Sequence, residues 1–141
     1  MSEKVKVSVL GFSFNQTRTG TYGLVLEEEA GPRRLMIVVG TPEAQSIAFE
    51  LQKTIPPRPL THDLLKSLLS AFEIKLQEVL IYKYEDGIFF ARLMLEQEGK
   101  SIELESRTSD AVAIALRTHS PIYAYESIMR ENGVVFDEPS G

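Results

Sequence analysis

The sequence predicts an α+β protein in which a mixed, largely antiparallel sheet packs against helices. Three observations lead there. Strand-like segments bounded by turn residues fill both halves: 5–12, 22–26 and 35–39 in the first, 79–84, 88–96 and 101–105 in the second. Each group of strands is followed by a segment with helical periodicity. The openings of two of those helices echo each other, Thr41-Pro42-Glu43-Ala44-x-x-Ile47-Ala48 against Thr108-Ser109-Asp110-Ala111-x-x-Ile114-Ala115. The echo predicts two strand–helix units of similar design, related by a pseudo-twofold.

In chain order, Val5, Val7 and Val9 alternate with Lys4, Lys6 and Ser8, the pattern of a half-buried strand continuing through Leu10 and Phe12. Residues 17–23 read as a glycine-containing loop. The next strand is 22–26, and Ala30-Gly31-Pro32 is a turn. The unbroken apolar run 35–39 predicts a central strand buried on both faces. A helix opens at Thr41, with Thr41 as its cap and Pro42 in its first position. Its buried stripe is Ala44, Ile47, Ala48 and Leu51. Ile55-Pro56-Pro57-Arg58-Pro59 can only be a stiff, extended connection. Thr61-His62-Asp63 starts the next helix, with Leu64, Leu65, Leu68, Leu69 and Phe72 as its buried stripe.

The three strands of the second half are joined at Glu85-Asp86-Gly87 and Glu98-Gly99-Lys100. Phe89, Ala91, Leu93 and Leu95 give the middle strand one wholly apolar face. From Ala111 to Leu116 the chain is apolar on every side, so this helix belongs in the core. Thr108 is its expected cap, and Arg107, Ser109 and Asp110 stand at its mouth. Pro121-Ile122-Tyr123 reads as a short strand and 126–130 as a short helix ended by Asn132-Gly133. Residues 1–135 form one expected domain, and 136–141 a loose tail.

With 141 residues the chain is long enough for one domain with a real core. Zero cysteines exclude disulfides and thiolate metal sites, and no apolar run approaches a membrane span. The opening residues Met1-Ser2-Glu3-Lys4 lack the apolar core of a signal peptide, and a cytoplasmic location is expected. A net charge of −5 opposes diffuse attraction to a polyanion. Nucleic acid is then bound through local cations or a bridging divalent ion.

The sequence lacks a Gly-x-Ser-x-Gly elbow, a paired-histidine zinc motif and a calcium loop. Polar helix starts remain, and each Thr followed by an acid is also ordinary capping chemistry, worth about 1 kcal/mol. If the starts converge, Glu43, Asp63 and Asp110 are candidate metal ligands or bases for Mg²⁺ or Mn²⁺, which favour oxygen. Arg58 and Arg107 are then phosphate contacts and His62 a general acid or base. No organic cofactor is indicated.

Four blocks now carry a resemblance: Val39 with Gly40-Thr41-Pro42-Glu43-Ala44-Gln45-Ser46-Ile47-Ala48; Arg58-Pro59-Leu60-Thr61-His62-Asp63-Leu64-Leu65; Asp86-Gly87-Ile88-Phe89-Phe90-Ala91-Arg92-Leu93; and the run from Arg107 through Ser109 and Asp110 to Arg117. In this order, over about residues 35–129, they resemble the bifunctional nuclease domain family of bacteria and plants. The resemblance implies an α+β fold and nuclease activity on RNA and DNA. It matches residue by residue at Glu43, Arg58, Thr61, His62, Asp63, Arg107, Ser109 and Asp110. From these matched positions we expect Glu43, His62, Asp63 and Asp110 to be catalytic and Arg58, Thr61, Arg107 and Ser109 to bind substrate. The alternative function is a non-catalytic homodimeric binding or assembly domain, with the sheet face and the proline segment as its contact surface.

Overall fold

A computed structural model describes residues 3–14 and 21–135. The strands are β1 (Lys4–Phe14), β2 (Thr21–Glu28), β3 (Arg34–Gly40), β4 (Lys75–Glu85), β5 (Ile88–Gln97), β6 (Lys100–Arg107) and β7 (Ile122–Tyr125). The helices are α1 (Thr41–Leu51), α2 (Thr61–Ala71), α3 (Thr108–Thr118) and α4 (Glu126–Asn132). Among the described residues the strands form one sheet in the order β3-β2-β1-β7-β4-β5-β6. Each half is an antiparallel three-stranded meander feeding a helix, β1-β2-β3-α1 and β4-β5-β6-α3. β7 joins them, antiparallel to β1 and parallel to β4. The echo of the two helix starts thus has a counterpart in the fold.

The hairpins of the second meander follow from their turn residues. Asp86 and Gly87 have φ of 51° and 82°, and Glu98 and Gly99 have 49° and 80°. Two successive positive φ values match the right-handed twist of the flanking strands, and Gly carries the second without a Cβ clash.

The sheet wraps around α3. This helix packs against both edge strands, β3 and β6, and against β4 and β5 between them. Ala111, Val112 and Ala113 are all 0 % exposed, so the helix is buried round its circumference, as an all-apolar helix must be. Its small side chains let α1 and α2 pack on it as well. Among the described residues no helix is long and apolar enough to cross a membrane.

Several expectations are corrected. β3 is an edge strand: Leu35, Ile37 and Val39 face the core, while Met36 and Val38 are exposed. An apolar run shows that a strand is hydrophobic on both faces, not that both are covered. Residues 21–23 belong to β2, held by pairing with β3, and not to a loop; residues 17–20 and the expected tail 136–141 lie outside the described residues. Thr41 and Thr108 are the first residues of their helices, and the caps are Gly40 and Arg107. The strands run straight into the helices, so the cap position falls on the last strand residue. Pro42 follows in the first turn, where its missing N–H is harmless. The Thr108 hydroxyl donates to the Phe89 carbonyl at 2.9 Å, tying α3 to β5. Leu51 is exposed, and so is the expected buried stripe of α2: Leu64, Leu65, Leu68 and Phe72 all face outward, with only Leu69 packed on the core. Beyond Leu69, what holds α2 to the body is polar.

Candidate functional site

The starts of α1, α2 and α3 come together because α1 and α2 both pack on α3. Acids in the first turn of each helix, Glu43, Asp63 and Asp110, suit the positive end of the helix dipole. Convergence turns these separate caps into a network. Arg107 pairs with Glu43 and, through Nε at 3.1 Å, with Asp110 Oδ2. The other Asp110 oxygen lies 2.8 Å from His62 Nε2, and His62 Nδ1 lies 2.6 Å from Ser46 Oγ. Glu43, Ser46, Thr61, His62, Arg107 and Asp110 share the lining of a cleft of about 390 Å³. The network runs from rim to floor: the Arg107 side chain is 66 % exposed, that of Asp110 31 % and that of His62 8 %.

Charge follows this geometry. Partial burial pushes the Asp110 carboxyl up, but hydrogen bonds from His62 and Arg107 outweigh it and hold the group below its ordinary value. Hydrogen bonds to Glu43, and then to Asp110, push the Arg107 guanidinium up. An ionised Asp110 only accepts, so His62 Nε2 carries the proton between them.

Beneath the cleft, Arg117 ties the three helices together. It is 3 % exposed. Its Nε donates to Asp63 Oδ1 on α2 at 2.7 Å, and its Nη2 donates to the Ser46 carbonyl on α1 at 3.1 Å. Its Nη1 donates to the Ala113 carbonyl within α3 at 3.1 Å. The second Asp63 oxygen accepts from the Leu60 N–H at 2.8 Å, closing the first turn of α2. Burial raises the Asp63 carboxyl, but these partners outweigh it and hold it low.

Of the sequence-derived residues, Glu43, Thr61, His62, Arg107 and Asp110 therefore meet in one cleft. Asp63 is not in its lining and faces Arg117. Ser109 is buried and lines a neighbouring cleft of about 460 Å³ between the ends of β3 and β6. Arg58 is exposed on the connection before α2, outside both linings. Among the described residues no group of three His, Asp or Glu side chains is arranged to hold a metal ion. Glu43 and Asp110 are joined through Arg107, while Asp63 is engaged on the far side by Arg117. Sequence reasoning missed Ser46 and Arg117. The signal was spacing: Ser46 is three residues after Glu43, and Arg117 seven after Asp110, each on the face of its helix that carries the acid.

This chain belongs to the bifunctional nuclease domain family, whose model, described as "Bifunctional nuclease domain", matches residues 24–137. The match contains every residue of the network. An uncharacterized protein of Mycobacterium tuberculosis is 39 % identical over 135 residues, covering 96 % of this chain and 80 % of that protein. Bifunctional nuclease 1 of Oryza sativa subsp. japonica and a bifunctional nuclease of Oryza minuta are each 28 % identical over 124 residues. There the alignment covers 84 % of this chain and 37 % of the rice proteins.

Proposed function

We propose that the chain is a nuclease that hydrolyses phosphodiester bonds of RNA and DNA with low sequence specificity, at the cleft between the starts of α1, α2 and α3. The observation that carries this reading is His62, held at the cleft floor between Asp110 and Ser46 with Arg107 at the rim. His62 transfers the proton, and Asp110 fixes the ring and stabilises its charged form. Arg107 and Thr61 contact the phosphate, and Glu43 holds the guanidinium in place. Arg107 lines both clefts, so a strand can pass from one to the other, with Ser109 along its path. Family membership and the printed names of the rice relatives support the same reading.

The test uses wild type, His62→Gln and Asp110→Asn, purified identically and shown folded by circular dichroism. Each is assayed on single-stranded RNA and DNA with Mg²⁺, with Mn²⁺ and with EDTA. Loss of general acid–base catalysis lowers the rate by about 10²- to 10⁴-fold. Equal activity in wild type and both variants would refute the site. The EDTA arm decides the metal dependence expected from the carboxylates.

The outward face of α2 favours a second reading, a homodimeric assembly domain. Leu64 and Leu68 on α2 and Phe72, which caps its C-terminal end, are 59, 52 and 62 % exposed, an unusual concentration for a surface with no partner. Light scattering on wild type and Leu68→Lys tests it. A dimer that becomes a monomer in the variant supports this reading, and a monomeric wild type removes it.

A further inference from the structure

We propose that Ser46 is a covalent nucleophile of this cleft. Ser46 lies inside α1 and is 4 % exposed. A helical serine commonly bonds a carbonyl one turn back in its own helix. Here Oγ is directed at His62 Nδ1, 2.6 Å away, and the serine's own carbonyl is fixed from α3 by Arg117. With Asp110 ionised, His62 Nε2 carries the ring proton. In the neutral ring Nδ1 is then an acceptor, and the Ser46 hydroxyl donates to it. The order Ser46–His62–Asp110 is a nucleophile, a base and a group that orients the base, the arrangement that activates a serine on many unrelated folds. All three side chains line the same cleft.

This inference rests on reading the cleft as a site of phosphodiester hydrolysis. Ser46 Oγ attacks phosphorus while its proton passes to His62 Nδ1. The bond from phosphorus to the leaving nucleotide oxygen breaks, and that oxygen takes the proton back from Nδ1. The remaining nucleotide is now esterified to Ser46. Water then attacks phosphorus and gives a proton to Nδ1, and the bond to Oγ breaks with return of that proton to Ser46. Arg107 balances charge on the non-bridging oxygens in both halves, and the sum is hydrolysis.

The experiment uses diisopropyl fluorophosphate, a phosphorus electrophile whose leaving group is fluoride. Labelling of wild type is followed by intact mass, and the adduct is placed by peptide mapping. The expected result is one adduct per chain, on Ser46. It should be absent in Ser46→Ala and formed at least about 100-fold more slowly in His62→Gln, as expected for loss of a base. No adduct on Ser46 in folded wild type would overturn the proposal, as would an equal rate in His62→Gln. Acid quench during RNA cleavage gives the second readout, a nucleotide ester on Ser46. Ser46→Ala with undiminished nuclease activity would overturn the nucleophile while leaving the nuclease standing. A labelled Ser46 in a chain that cleaves neither RNA nor DNA would uphold the nucleophile and remove the nuclease.

Discussion

Replacing Arg117 with Met should loosen the three helices at once. The methionine stem can occupy much of the same space, so the change removes chiefly the guanidinium. Lost with it are the 2.7 Å pair to Asp63 and the two 3.1 Å bonds to the Ser46 and Ala113 carbonyls. Removing one partner of a buried pair costs about 3–5 kcal/mol. The Asp63 side chain is 30 % exposed, so water recovers part of the loss. The lower end applies, roughly 3 kcal/mol, or a fall in Tm of about 10 °C for a chain of this size. Urea unfolding of wild type, Arg117→Met, Asp63→Asn and the double variant measures it, and the pair should show a coupling of at least ~1 kcal/mol. The pH dependence has a fixed sign. The folded Asp63 carboxyl lies below its ordinary value, so its contribution is complete above about pH 4 and is lost as pH falls through the folded value. The gap between wild type and Arg117→Met should therefore narrow in acid. A loss under ~1 kcal/mol in Arg117→Met, or a gap that widens in acid, would refute this account of what holds α2.

Arg33 is a second clamp: its Nη2 is 2.8 Å from Glu28 and 2.7 Å from Glu126, joining the β2–β3 hairpin to α4. Arg33→Ala strands the buried Glu28 carboxylate and should cost about 2 kcal/mol, with faster hydrogen exchange in α4. Glu28 and Glu126 are both held low, chiefly by hydrogen bonds from Arg33, so this stabilisation too is present above the ordinary glutamate range and fades below it. Ala113→Leu adds bulk where nothing is exposed and should destabilise by about 1–3 kcal/mol, whereas an unchanged thermal midpoint would contradict the packing described for α3. Thr108→Val removes the donor to the Phe89 carbonyl and should cost about 1 kcal/mol in the same melt.

The elements that could be read from the sequence are those whose environment is written in their own residues. The run from Ala111 to Leu116 is apolar on all sides, which only burial all round can satisfy. Asp86-Gly87 and Glu98-Gly99 name their turns outright. What a segment faces is written elsewhere in the chain. Leu35 and Val39 meet the core while Val38 between them meets solvent, because the sheet ends at β3. The leucines of α2 have the spacing of a core stripe and no covering element within the described residues. The site was legible as far as its members stand at helix starts, as Glu43, His62, Arg107 and Asp110 do. Asp63 has the same signature and faces away, because a buried cation inside α3 claims it. Ser46 sits in the middle of α1 and Arg117 in the last turn of α3, places where a polar residue is easily taken for the solvent side or for a partner of the helix dipole.

The place of β7 has a consequence for how the molecule is made. The last strand among the described residues occupies the middle of the sheet, with Ile122 and Ala124 in the core and the backbone paired to β1 on one side and β4 on the other. During synthesis both meanders leave the ribosome before the four residues that unite them. Until those arrive, β1 and β4 present facing open edges, the most adhesive surfaces a nascent sheet can offer. Two chains whose β7 has been made but has not yet docked can each lend that strand to the other, giving an intertwined pair by reciprocal exchange. A nascent chain halted before residue 122 keeps both edges open, and the segment that fits between them belongs to its neighbour.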